Sequence, residues 1–204
     1  MTAIITGDIK NSRQSSPQTW LKHLKEAMSF YGKEPSQWEI FRGDSFQLET
    51  HPEKALEAVM TIKSAIKKTK GLDVRAAIGL GNVSYRGKGL TESNGSAFIH
   101  SGECFEKLKK NGLAIETPWD DLNKKMNIMF LLANRIMEEW APKSAAVFQL
   151  ALEHPKVNQA TLASMAGVGQ SNISRGLKRA GFDELNALNI YYISEIKKLC
   201  YPSS

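Results

Sequence analysis

Residues Trp38 to Leu48 read WEIFRGDSFQL, in which two apolar, strand-like runs flank the tight-turn element Arg42-Gly43-Asp44. The runs 38–41 and 46–49 are therefore expected to pair as a β-hairpin with an acid at its tip. An acid held there, with a second acid elsewhere, is how a chain builds an oxygen-ligand site for a divalent cation. Asp8 is that second acid. It lies in AIITGDI, residues 3–9, an apolar run too short for a helix and rich in β-branched residues, which reads as a buried strand ending at Gly7-Asp8. Gly-Asp also recurs in ordinary turns, so either acid taken alone is explained by turn chemistry.

The pattern extends from the hairpin in both directions. Before it, Ser16-Pro17 opens a helix reaching Tyr31, with Trp20, Leu21, Leu24, Ala27 and Met28 at helical spacing. After it come a helix over 52–68, a strand over 73–80 (DVRAAIGL), and a Gly-rich connection over 79–95 with room for a hairpin through Asn82 to Arg86. A helix over 97–110, ended by Asn111-Gly112, and a short strand over 113–116 follow. This order of elements is that of an α+β fold, a ferredoxin-like sandwich with additions. Lys67, Lys68 and Lys70, like Lys107, Lys109 and Lys110, read as solvated helix ends where cations suit the helix dipole.

Thr117-Pro118-Trp119-Asp120 reads as a capping box with proline at the first helical position. The helix it opens sets Leu122, Met126, Met129, Ala133, Ile136 and Trp140 on a heptad seam of under three heptads. Two readings of that seam stand: packing against the chain's own domains, or a dimer contact. Further helices are expected over 142–153, 159–166, 170–180 and 183–199, the last with Leu185, Leu188, Tyr192, Ile196 and Leu199 as its apolar stripe. The expected organisation is an α+β domain over 1–117, a connecting helix over 118–140 and an all-α domain over 141–204.

Composition bounds the class of protein. At 204 residues, with 42% hydrophobic and 24% charged residues, the chain suits a folded globular protein and excludes a disordered one. The formal net charge of +6 permits a polyanionic partner without requiring one. Cys104 and Cys200 lie outside any CxxC spacing and read as packed thiols of a reducing compartment. With no signal peptide and no membrane-spanning apolar run, a cytoplasmic location and no membrane partner are expected.

Residues 159–177, QATLASMAGVGQSNISRGL, fit the helix-turn-helix pattern wherever geometry constrains it. Ala163 supplies the small residue at the helix crossing, Gly167 the turn, and Val168, Ile173 and Leu177 the packing of the second helix. The second helix leaves Gln170, Ser171, Asn172, Arg175, Lys178 and Arg179 outward, residue types that bond base edges and phosphates. Gln159 and Thr161 on the first helix complete the expected DNA-contacting set. From Gln170 to Gly181 there are three basic residues and no acid. The segment resembles the helix-turn-helix of bacterial transcription regulators, which implies major-groove binding; such regulators usually pair half-sites, so a homodimer is expected.

AIITGDIKNS resembles the first metal motif of class III nucleotidyl cyclases, where an Asp-Ile pair ends the first strand. FRGDSF resembles their Gly-Asp hairpin and the Gly-Gly-Asp-Glu-Phe hairpin of diguanylate cyclases, and VRAAIGLGNV resembles a further cyclase strand. Together with the helix-turn-helix, the whole chain looks like the SatD-like proteins of bacteria. The resemblance implies a cyclase-type sandwich in which Asp8, Asp44 and Ile9 hold Mg2+ or Mn2+, and Lys10, Asn11, Ser12, Arg42 and Gly43 bind the phosphates of a nucleotide. The chain departs from the cyclase pattern at three positions. Ile40 stands where those enzymes carry a base-reading Lys, and Ile99 and Glu103 stand where they carry the Asn and Arg that stabilise the transition state. A nucleotide- or metal-sensing regulator is the leading expectation, and a metal-dependent nucleotidyl cyclase or nucleotidyltransferase the alternative, with Arg42, Lys88 or His100 as substitute catalytic cations.

Overall fold

The computed structural model describes residues 1–108 and 112–201. Its centre is β1 (Thr2–Lys10), whose Ala3, Ile5 and Ile9 enter the main core while Ile4 belongs to a separate cluster with Leu90 and Ala97. Successive side chains point to opposite faces of a strand, so a strand buried on both faces reads as a continuous apolar run rather than an alternating one. β1 is flanked by β3 (Ser45–Thr50) and β4 (Asp73–Gly81), both antiparallel to it; β2 (Trp38–Phe41) pairs with β3, and β5 (Leu113–Glu116) lies parallel to β4. The sheet order is β2-β3-β1-β4-β5.

Helices α1 (Pro17–Ser29) and α2 (Ala55–Lys67) contribute Trp20, Leu24, Leu56, Val59 and Ile62 to the core with Ile5 and Ile78. α3 (Ser96–Lys107) packs against β4, β1 and β5. Its approach is so close that a Cβ built on Gly79 would stand 2.2 Å from the Ser101 nitrogen and 2.3 Å from the Ala97 oxygen. The Gly-rich connection forms no regular hairpin over 82–86. Tyr85 instead bridges Asn94, and residues 90–92 make a single 3-10 turn. The helix end expected at Asn111 lies outside the described residues.

α4 (Asp120–Glu138) begins later than the capping-box reading placed it. Trp119 is its N-cap residue, and the Thr117 hydroxyl accepts the Trp119 N–H at 3.1 Å and donates to Asn123 Oδ1 at 2.7 Å, forming a turn ahead of the helix. Leu122, Met126, Ala133 and Trp140 are buried within the chain, so those members of the heptad seam already have partners. Ile128, Leu131 and Leu132 are the exposed apolar residues of this helix, and Leu132 lies beside Met129 and Ile136 of the seam.

α5 (Pro142–Glu153) lies against α2, and α8 (Phe182–Cys200) sends Tyr192 Oη 2.8 Å to the Pro52 carbonyl. One cluster of buried side chains consequently runs from Ala3 and Ile5 through Phe130 and Phe148 to Tyr192 and Ile196. Leu199, expected on the buried stripe of α8, is exposed. α6 (Gln159–Ala166) and α7 (Gln170–Ala180) close a second cluster of Ala151, Leu162, Ala163, Ile173 and Leu177. The Asn158 side chain accepts the Thr161 N–H at 2.9 Å and so caps α6. Gly167 ends α6 at φ 64°, a left-handed conformation that glycine adopts without a Cβ penalty. Val168, expected to pack α7, is exposed instead and lies in the turn ahead of that helix.

Lys67 overturns the expectation of a solvated helix end, and Lys63, one turn earlier in α2, is buried with it. Lys67 is buried and donates to the Glu138 carbonyl at 2.7 Å; Lys63, also buried, reaches Asp73 Oδ1 at 2.6 Å and the Val74 carbonyl at 3.0 Å. A cation leaves water at this cost only with such partners. Burial lowers the Lys63 pKa, and Asp73 opposes that shift.

Candidate functional site

The two acids singled out by sequence come together at one end of the sheet. Asp8 shares the face of Ile4 and Thr6, and its register partners are Arg75 on β4 and Ser45 on β3. Arg42 at φ 52° and Gly43 at φ 91° fold the hairpin back, so that the Asp44 carbonyl accepts the Ile9 N–H at 3.1 Å. The Asp44 carboxylate accepts the Ser12 hydroxyl through Oδ2. Asn11, itself left-handed at φ 63°, anchors the β1–α1 loop by donating to the Gly71 carbonyl at 3.0 Å.

An open groove of about 700 Å³ results, lined by Asp8, Lys10, Asn11, Ser12, Arg13, Asp44 and Arg75 among others. The structure thus brings Asp8, Asp44, Lys10, Asn11 and Ser12 to one place. Ile9 backs them with its side chain in the core, 3% exposed, leaving only its main chain at the groove. Arg42 and Gly43 are exposed at the hairpin tip and do not line the groove. Of the suggested substitute catalytic cations none lines it: Lys88 belongs to another pocket, and the His100 ring bonds the Leu80 carbonyl at 2.6 Å, near the opposite end of β4.

Sequence reasoning missed Arg75. Its Nε donates to Asp8 Oδ1 at 3.0 Å and its Nη2 to Asp8 Oδ2, a two-point contact in which the guanidinium fork matches the carboxylate. Its Cζ also lies 5.2 Å from the centre of the Phe105 ring. The bond to Asp8 raises the Arg75 pKa. The available signal was a single basic residue in the strand DVRAAIGL, and it points to Asp8 only once β1 and β4 are known to be neighbours. A second such pair, Arg86 Nη2 to Glu49 Oε1 at 2.7 Å, joins the Gly-rich connection to β3 and was not anticipated either.

The donor set does not suit the divalent cation that the cyclase resemblance implies. Both oxygens of Asp8 already face a guanidinium, Asp44 Oδ2 holds a hydroxyl, and among the described residues no group of three or more His, Cys, Asp or Glu is placed to hold a metal.

The second candidate surface is on α7. Ile173, Gly176, Leu177 and Ala180 turn inward, and a Cβ on Gly176 would stand 3.1 Å from both Val147 methyl groups, so α7 lies close on α5. Gln170, Ser171, Asn172, Arg175, Lys178 and Arg179 are all exposed, as are Gln159 and Thr161 on α6. Arg175 Nη2 donates to Asn172 Oδ1 at 2.7 Å, and Arg179 Nε to the Arg175 carbonyl at 3.2 Å. Trp140 Nε1 donates to the Ala180 carbonyl at 2.8 Å, tying this helix to the end of α4.

No family model, curated protein or solved structure matches this chain. Among the described residues no helix is long and apolar enough to cross a membrane.

Proposed function

We propose that the protein is a cytoplasmic, homodimeric transcription regulator of the SatD-like kind, in which α6, the Gly167–Gly169 turn and α7 form a helix-turn-helix. A cyclase-type, ferredoxin-like sandwich carries the groove at Asp8 and Asp44 as its nucleotide-sensing site. One observation carries the reading: α7 presents Gln170, Ser171, Asn172, Arg175, Lys178 and Arg179 outward on a face without an acid, while its other face is packed. The strand order of the sheet and the two-acid hairpin groove support the sensing half.

Selection of a preferred duplex from a random pool, followed by comparison with Arg175→Ala, tests the DNA-binding half. The variant is expected to lose about 1–3 kcal/mol on the preferred duplex and to relax the preference at one base position. Unchanged affinity together with an unchanged preference would refute the assignment of α7.

A further inference from the structure

We propose that the groove at Asp8 and Asp44 binds a phosphoryl anion without a divalent cation, Arg75 taking the cation's place beside Asp8. The inference rests on the nucleotide-sensing reading and changes its chemistry. Five charged side chains line the groove: Lys10, Arg13 and Arg75 against Asp8 and Asp44. Arg75 spans both oxygens of Asp8, which removes that carboxylate from the local balance. Asp44 is held by the Ser12 hydroxyl. Lys10 and Arg13 make no ion pair among the described residues, so two cations face the groove against one remaining acid.

A divalent ion entering here would meet the Arg75 guanidinium already seated on its principal ligand. A phosphate meets two ammonium or guanidinium groups at the mouth of the groove, where charge-assisted hydrogen bonds are strong. The ligand class is a pyrophosphate or nucleoside polyphosphate whose charge is matched by Lys10 and Arg13. Asp8 serves as a positioning residue that holds the Arg75 fork in place.

Calorimetric titration of the full chain with inorganic pyrophosphate and with ATP, each in EDTA and in Mn2+, tests this. Binding in EDTA is expected, weakened about tenfold or more by Arg13→Ala and by Lys10→Ala. Arg13 is exposed, so its removal leaves folding intact. Arg75→Ala, with folding checked by circular dichroism, is expected to lose pyrophosphate binding and to gain Mn2+ binding, because Asp8 is uncovered. Wild-type binding that requires Mn2+ would overturn the cation-free assignment while leaving nucleotide sensing in place. No binding under either condition would overturn both, and Mn2+ affinity unchanged in Arg75→Ala would refute the role given to Arg75.

Discussion

The indole of Trp140 donates to the carbonyl of Ala180 across 40 residues of sequence, so the last residue of the α4 seam holds the end of α7. The same ring stacks at 4.4 Å on Phe148, which in turn meets Phe182 at 5.4 Å. Trp140→Phe keeps much of the stacking and removes the donor. A stability loss of about 1–3 kcal/mol is expected from leaving a buried carbonyl without its partner, measured by urea denaturation with far-UV circular dichroism as the probe.

Lys178 and Arg175 should differ in kind when DNA binding is measured across salt concentrations. On the proposed DNA-binding reading Lys178 contacts phosphate, so Lys178→Ala should weaken every duplex by a similar factor and lower the slope of log affinity on log salt by about one. A sequence-dependent loss would assign Lys178 to base reading instead.

Burial pushes the Tyr31 and Tyr192 phenols well above the usual tyrosine range, and nothing in the fold offsets it for Tyr192. A phenol whose pKa is raised by folding contributes stability that is complete below its unfolded pKa of about 10 and is lost as pH rises beyond it. Denaturation midpoints should therefore fall from about pH 10 upward. In an absorbance titration, Tyr31 and Tyr192 should ionise last, with unfolding. Tyr192→Phe removes one share of the alkaline loss and, at neutral pH, costs about 1 kcal/mol for the bond to Pro52.

Cys104 is buried, and burial pushes its thiol up to about 11. Its thiolate is scarce at neutral pH, and the thiolate is the reacting form. With a disulfide reagent at pH 8, Cys200, half-buried, should react first, and Cys104 should react only after denaturant is added.

The proposed homodimer has one apolar surface of α4 still open to it, at Ile128, Leu131 and Leu132. Leu132→Glu should shift the sedimentation coefficient from dimer to monomer without altering the circular dichroism of the chain. A monomeric wild type, or a variant that stays dimeric, would remove this surface from the reading.

Sequence reasoning reached the hairpin because it depends on short-range turn chemistry, and it reached the meeting of Asp8 with Asp44 through the resemblance to the cyclase motifs, since that meeting requires β1 and β3 to be neighbours. Arg75 was out of reach because its partner lies 67 residues away and depends on which strands are neighbours. The burial of Lys67 was hidden for a related reason: a lysine's place on a helix end is local, but the Glu138 carbonyl that accepts it comes from another element, as does the Asp73 carboxylate that holds Lys63 further inside α2. In α4 the heptad spacing was correct, and it marked the side that folds inward. Two apolar stripes share that helix, and spacing alone does not say which one the chain itself covers.

Tyr192 and Ile196 complete the same buried cluster that Ala3 and Ile5 begin. Until α8 has been made, the part of α2 that it covers stays open to solvent, so any chain interrupted before residue 182 exposes apolar surface that this helix otherwise hides and is expected to aggregate.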